Sequence, residues 1–291
     1  MSRMYLTLAA LATQAQAISD VRHIPRAGEL LDAWEVGDLV SAEPLVSYSG
    51  GAKAVTMASG VRYALKLRKV KGNTELELDL VTALDAAGVP VAIPVKTKSG
   101  APYLVLDSGI YGLYPWLRGR VIVDHYSGDA LGRARRFGRA IARLHTALRD
   151  WRAPVNVPVY DLLAEARARH LPALNEYPED VDCARVAAIA EACFAGLEPL
   201  GPDLPIQWIH GDIHPENMLF DKGELTGIVD FDMVRRCFRV YDPCYCARSM
   251  LFDGWEDPAN RAAWPGIFRE LIAGYEETIP LAPAERRGVV P

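Results

Sequence analysis

Gln207 to Asp232, QWIHGDIHPENMLFDKGELTGIVDFD, is the stretch that decides how this chain is read. Apolar Trp208 and Ile209 lead into His210-Gly211-Asp212, and Asn217 follows Asp212 by five positions. Met218-Leu219-Phe220 opens an apolar run, Asp221-Lys222-Gly223-Glu224 interrupts it, and a second run passes through Ile228-Val229 into Asp230-Phe231-Asp232. Two such runs joined by a short loop containing Asp and Gly predict a β-hairpin. A hairpin sets Asn217, at the start of one strand, beside Asp230, at the end of the other. Hard oxygen donors gathered in this way suit Mg²⁺, which takes few protein ligands and keeps several waters. Turn residues and hairpin-end caps do not require two His, three Asp and an Asn at these spacings.

The spacing has a counterpart in protein kinases, which use H-R-D-x-x-x-x-N. There the Asp takes the proton of the attacking hydroxyl, the Asn holds Mg²⁺, and a downstream D-F-G supplies a second metal-binding Asp. The form found here is H-G-D-x-H-x-x-N followed by V-D-F-D, with Gly211 where protein kinases carry Arg. It resembles the aminoglycoside phosphotransferase, choline kinase and type II homoserine kinase family, over about residues 30–275 and most specifically in 208–232. The resemblance implies a two-lobed, protein-kinase-like α+β fold. Residues 1–117 would be an N-terminal nucleotide-binding lobe, an antiparallel sheet plus one helix, with a further helical segment at the start. Residues 118–291 would be the mostly helical catalytic and substrate-binding lobe. Asp212 becomes the catalytic base, with Asn217 and Asp230 as metal ligands; Asp232 assists at metal or substrate, and His214 is mainly structural. ATP and Mg²⁺ are the implied cofactors. The implied acceptor is the hydroxyl of a small molecule: homoserine, an amino alcohol or an aminoglycoside.

Upstream, residues 1–45 read as helical, ending near Trp34-Glu35-Val36-Gly37, and a strand-like run containing Gly50 and Gly51 extends from Val46 to Met57, with a turn at Ser59-Gly60. Within the resemblance the two glycines let backbone amides approach the phosphates; by themselves they read equally well as a hairpin tip. Val61 to Leu67 alternates, with Val61, Tyr63, Leu65 and Leu67 on one face. Lys66 on this strand matches the lysine that pairs the α/β-phosphates. Thr74 to Ala87 reads as a helix stopped by Gly88-Val89-Pro90. Its Glu77, with Glu75 in reserve, is expected to pair with Lys66. Strands are expected at Val91–Val95, Tyr103–Leu106 and Gly109–Tyr114. Gly112 to Gly119 resembles the family's adenine-binding hinge, with Tyr114 as gatekeeper, Pro115 giving its carbonyl and Leu117 its N–H. Pro115 lacks an N–H, but that position needs only the carbonyl; a rigid surface turn is the alternative.

Residues 128–149 form an amphipathic pattern with Leu131, Phe137, Ile141, Leu144 and Leu148 at helical spacing. His145 in this helix reads as a packed structural histidine. Trp151–Val159 reads as a Pro-rich linker, followed by helices over 160–198 with polar breaks at 175–182. Arg235, Arg236 and Asp242 fall where kinases have an activation segment, and the family's Asp at the last position buttresses the catalytic loop. Asp242-Pro243 then leads into a helix, and helical material continues to about Tyr275; Asp253, Trp255 and Glu256 are candidates to line an acceptor pocket. The last family helix is expected to be short or missing.

The bulk composition is that of an ordinary globular protein: 291 residues, 50% hydrophobic and 24% charged. A net charge of −5 argues against a nucleic-acid protein. Residues 1–120 carry +2 and residues 121–291 carry −7, a balance that would draw a cationic substrate to the second lobe. Five Cys form no disulfide framework, and Cys237, Cys244 and Cys246 lack zinc-ligand spacing, so free thiols are expected. No apolar run reaches the length of a membrane span. Tyr5 to Ala17 can be read as a short signal peptide or as an amphipathic helix. The helix agrees with a cytoplasmic, ATP-using enzyme. A regulatory protein kinase is disfavoured by Gly211 and by the lack of an A-P-E after the D-F-D, and a pseudokinase by the presence of the Lys, Asp, Asn and Asp together.

Overall fold

The structure, a computed structural model, describes residues 27–45, 51–68, 74–174 and 182–289. The expected helix before Ala27, the segment Val46–Gly50 and most of the polar break at 175–182 lie outside the described residues. The chain divides into two compact units, with the boundary between Arg118 and Gly119.

The first unit is built on an antiparallel sheet. Its strands are β1 (Leu39–Pro44), β2 (Ala52–Met57), β3 (Arg62–Arg68), β4 (Leu104–Leu106) and β5 (Gly109–Pro115), in the order β1-β2-β3-β5-β4. The alternation read along β3 is borne out: Leu65 is fully buried, and Tyr63 and Leu67 pack against the same cluster of Trp34, Val55, Met57 and Leu113. Helix α1 (Ala27–Leu31) and helix α2 (Thr74–Ala86) complete the described part of the unit. Two expectations fail here. The helical end expected near residues 34–37 is found, with Gly37 at φ +81° breaking the path, but the wider helical reading through residue 45 fails from Leu39 onward, where β1 pairs with β2. The expected strand at Val91–Val95 is an extended segment that gives β5 one bond, from Val95 N to the Leu113 carbonyl at 2.7 Å. Pro90 and Pro94 have no N–H to donate, so a continuous ladder cannot form there.

The second unit is mostly helical. Helix α3 (Ala130–Asp150) begins at Asp129, whose carboxylate accepts from Gly132 N at 3.0 Å. Phe137, Ile141, Leu144 and Leu148 are buried as expected, but Leu131 is 51% exposed. At 100° per residue, Leu131 lies 240° around the helix from Phe137, off the apolar stripe; Ala134 takes the place on it. Helix α4 (Cys183–Leu197) follows a series of short helical turns over Leu162–Ala173. Strand β6 (Ile206–Ile209) then enters the 207–232 stretch, and the hairpin is β7 (Met218–Asp221) and β8 (Glu224–Ile228). Lys222 and Gly223 join them at φ 52° and 89°, the two positive angles of a type I′ turn. Beyond the hairpin, Arg235 and Arg236 sit in β9 (Arg235–Phe238), which pairs with β6. Helices α5 (Tyr241–Asp253), α6 (Pro258–Glu276) and α7 (Pro283–Gly288) complete the unit. The segment read as a linker opens with a buried Trp151 whose ring lies 4.8 Å from that of Trp208.

Helices α3 and α6 approach closely because two glycines face across the crossing. A Cβ on Gly138 would overlap the Leu271 carbonyl, and one on Gly274 would overlap the Arg135 carbonyl. Among the described residues no helix is long and apolar enough to cross a membrane. All five cysteines are free thiols, and among the described residues no group of three or more His, Cys, Asp or Glu side chains gathers as a metal cluster.

Candidate active site

The 207–232 stretch turns around His210, which is fully buried. Its Nδ1 accepts from Asp212 N at 3.3 Å, so its Nε2 carries the proton and donates to the Val229 carbonyl at 3.0 Å. This one imidazole therefore ties the loop before the hairpin to the residue preceding Asp230. Burial holds its pKa below the ordinary value, against the pull of the Asp242, Asp230 and Asp212 carboxylates around it. A neutral ring is what this pair of bonds requires.

Asn217 makes the second tie. It ends a short 3₁₀ turn, Pro215–Asn217, and its carbonyl accepts from Val229 N at 3.0 Å. Its side-chain nitrogen donates to the Asp212 carbonyl at 2.9 Å, which leaves the amide oxygen as the atom of this side chain that can meet a cation. Asp230 follows Val229 in the left-handed region, φ 70° and ψ 59°. Such backbone strain in a residue other than Gly persists only where its surroundings impose it, and it gathers at functional sites. Asp212, Asn217 and Asp230 are thus joined through one loop and one hairpin by short hydrogen bonds, as the spacing predicted.

Gly211 has a structural reason. Its φ is +80°, and a Cβ there would overlap the Met233 carbonyl and crowd the Arg235 side chain. The arginine that protein kinases place here does not fit. Arg235 comes instead from β9 and donates to the Gly211 carbonyl at 2.8 Å.

Asp242 sits beneath this loop, fully buried. Its Oδ2 accepts from His210 N at 2.8 Å and from His145 Nε2 at 2.9 Å, and its Oδ1 accepts from Gly211 N at 3.0 Å. Burial alone would raise its pKa; the His145 hydrogen bond and charge, with His210 and the Gly211 amide, outweigh it and hold the carboxyl below the ordinary value. His145 reaches Tyr275 at 2.8 Å through its other nitrogen. This is the buttress expected of Asp242 and the packed role expected of His145. His214, expected to be mainly structural, lies 3.9 Å from Glu216. Asp253 faces the buried His125 at 3.4 Å.

The sequence reading missed Tyr245. Its hydroxyl donates to Oδ1 of Asp212 at 2.6 Å. A tyrosine 33 positions downstream carries no spacing signal, and only the packing of α5 brings it there.

In the first unit, Lys66 stands mid-strand on β3, opposite Ala52 on one side and Gly112 on the other. Gly51 is buried just before β2, and its carbonyl accepts from Leu67 N at 2.7 Å; Gly50 lies outside the described residues. Glu77 is buried in α2, and its partners differ from the expected one. Arg68 forms its ion pair and Tyr114 donates to it at 3.4 Å. Arg68 lies two positions past Lys66, so both basic side chains leave the same face of β3. Gly112 gives Tyr114 its space, since a Cβ there would collide with the Tyr114 ring. Pro115 ends β5 opposite Tyr63, and Trp116 N donates to the Arg62 carbonyl at 3.3 Å, leaving Pro115 and Leu117 on the exit from the sheet.

The loop and hairpin hold an Asp, an Asn and a second Asp at the spacing of the protein-kinase motif. The sequence matches the phosphotransferase enzyme family over residues 49–281, and the chain belongs to that family. It is a small-molecule kinase. The chain is 28% identical over 262 residues to a homoserine kinase of Neisseria meningitidis serogroup B, an alignment covering 88% of this chain and 80% of that one. Its fold is similar to that of an aminoglycoside phosphotransferase from Alicyclobacillus acidocaldarius, with a TM-score of 0.68, 18% identity and coverage of 91% and 80%. A microcompartment-associated aminopropanol kinase gives a TM-score of 0.69 at 19% identity, with coverage of 89% and 82%.

The residues fit a divalent cation. The amide oxygen of Asn217 and the carboxylate of Asp230 are hard donors on adjoining strand ends, and Mg²⁺ needs no cluster of three protein side chains when phosphates and water supply the rest.

Proposed function

We propose that this enzyme transfers the γ-phosphoryl group of ATP to the hydroxyl of homoserine or a closely similar amino alcohol. The observation that carries the reading is the set of hydrogen bonds joining Asp212, Asn217 and the Val229-Asp230 strand end into one rigid element. The homoserine kinase relatives, aligned over most of both chains, support the choice of acceptor. Asp212 orients the hydroxyl and takes its proton. Asn217 and Asp230 would hold Mg²⁺, which neutralises charge on the transferring phosphates when bound. Lys66 holds the α/β-phosphates, and Glu77 acts on that strand through Arg68. Gly50 and Gly51 offer backbone amides to the phosphates, and Tyr114, Pro115 and Leu117 receive the adenine. Asp232 assists at metal or substrate. The unit ending at Arg118 is then the nucleotide-binding lobe, and the unit from Gly119 the catalytic and substrate-binding lobe. The −7 charge of residues 121–291 favours an acceptor that carries an ammonium group. The enzyme works in the cytoplasm, where ATP is available.

The test is ATP consumption with Mg²⁺ by wild type and Asp212→Ala, against homoserine, choline, ethanolamine, methylthioribose and several aminoglycosides. Homoserine-dependent ADP release is expected, falling by about 10²- to 10⁴-fold in the variant. Turnover of an aminoglycoside with homoserine silent overturns the choice of acceptor.

A further inference from the structure

Helix α5 presents two side chains to the catalytic loop. Asp242 holds its backbone amides, and Tyr245, three residues on and so on the same helix face, donates to the Asp212 carboxylate at 2.6 Å. The tyrosine is itself aimed. Its ring stacks on Tyr241, with centroids 5.6 Å apart and planes 19° from parallel. The Arg235 guanidinium lies 5.6 Å from the Tyr241 ring and donates to the Gly211 carbonyl at 2.8 Å. Gly211, Arg235, Tyr241, Tyr245 and Asp212 therefore form a closed ring of contacts, in which the backbone next to the base is held from β9 and the carboxylate of the base from α5.

We propose that Tyr245 is a positioning residue for phosphoryl transfer: it occupies Oδ1 of Asp212, fixes the carboxylate rotamer and leaves Oδ2 as the oxygen that receives the acceptor proton. This role rests on Asp212 being the base of the function proposed above. As the acceptor oxygen bonds to the γ-phosphorus, the bond from that phosphorus to the bridging oxygen breaks. ADP leaves with the electron pair, and the hydroxyl proton passes to Oδ2. A half-buried carboxylate without the tyrosine would sample other rotamers, and loss of alignment by a fraction of a bond length lowers the rate of transfer. Burial, followed by the hydrogen bond to Asp212, pushes the Tyr245 hydroxyl well above its usual pKa, so it remains a donor wherever the enzyme works.

Tyr245→Phe keeps the ring and its stack and removes one hydroxyl. In the homoserine assay the kcat of this variant should fall about tenfold, the scale of one hydrogen bond to a charged group. KM for ATP and for homoserine should stay within about twofold, since neither ligand's binding uses the hydroxyl. The second arm repeats the substitution in Asp212→Asn, where the residual rate should not fall further. Wild-type kcat in Tyr245→Phe overturns the role. An equal factor lost in both backgrounds also overturns it, because the tyrosine would then act on the fold and not through Asp212. A wild type that turns over none of the acceptor panel overturns the functional reading and this role together, whereas a wild-type enzyme that works equally well without the hydroxyl overturns this role alone.

Discussion

Asp242→Asn exchanges a fully buried carboxylate for an amide of the same shape and places a donor where an acceptor stood. The carboxylate receives His210 N at 2.8 Å and His145 Nε2 at 2.9 Å on one oxygen, and Gly211 N at 3.0 Å on the other. The better orientation of the Asn keeps its oxygen toward His145 and His210, so its NH₂ faces the Gly211 amide. That leaves the Gly211 N–H and the new NH₂ facing each other with no acceptor, at about 1–3 kcal/mol for the buried amide alone, and weakens two charge-assisted bonds by a fraction of that each. A total near 3 kcal/mol is a large part of a stability of about 5–15 kcal/mol. In urea, with an m-value near 3 kcal/mol/M, the midpoint should drop by about 1 M. The amide that loses its acceptor is one residue before Asp212, so kcat in the homoserine assay should fall as well, by about tenfold or more. Urea unfolding followed by tryptophan fluorescence, beside steady-state kinetics, reads both. An Asp242→Asn enzyme with the wild-type midpoint would refute the argument that this carboxylate holds the loop.

Two buried groups also set the acid side of stability. His210 is held below its ordinary value of 6.5 in the folded state, so below that pH the unfolded chain takes up a proton that the folded chain refuses. Its contribution is fully present above 6.5 and declines as the pH falls, by up to about 1.4 kcal/mol per unit. Asp242 is held below its ordinary value of 3.8, so its contribution is present above 3.8 and is lost as the pH falls through the lowered value. Melting temperatures measured from about pH 8 down to pH 4 should stay level and then decline below about 6.5; a flat profile to pH 4 contradicts the buried neutral imidazole. Gly138→Ala should destabilise by about 2–3 kcal/mol although Ala is the better helix former by about 1 kcal/mol, because the new methyl meets the Leu271 carbonyl of α6. A raised melting temperature in that variant would show that the two helices can part freely.

How much was legible follows from where each signal lies along the chain. The β7–β8 hairpin was readable because its turn needs two positive φ angles, and Lys222-Gly223 between two apolar runs supplies them locally. The β3 alternation was readable because its period of two is written in consecutive residues. Leu131 was misplaced because helical spacing counts apolar residues without asking which 100° step each one occupies. Val91–Val95 was misread because an apolar run resembles a strand until its prolines are asked for hydrogen bonds.

The sequence alone determined the local geometry of the motif. Asp212, Asn217 and Asp230 lie within 19 positions of one another, and their geometry follows from one loop and one tight turn. Tertiary structure alone decided two of the contacts that steady it. Tyr245 on Asp212 and Arg235 on the Gly211 carbonyl come from a helix and a strand beyond the hairpin. Arg68, and not Lys66, took Glu77 because the strand and helix that carry them meet only in the folded unit. A motif is local because its atoms must act together. Its supports can come from any part of the chain that packing brings within about 3 Å, and no periodicity in the sequence records that distance.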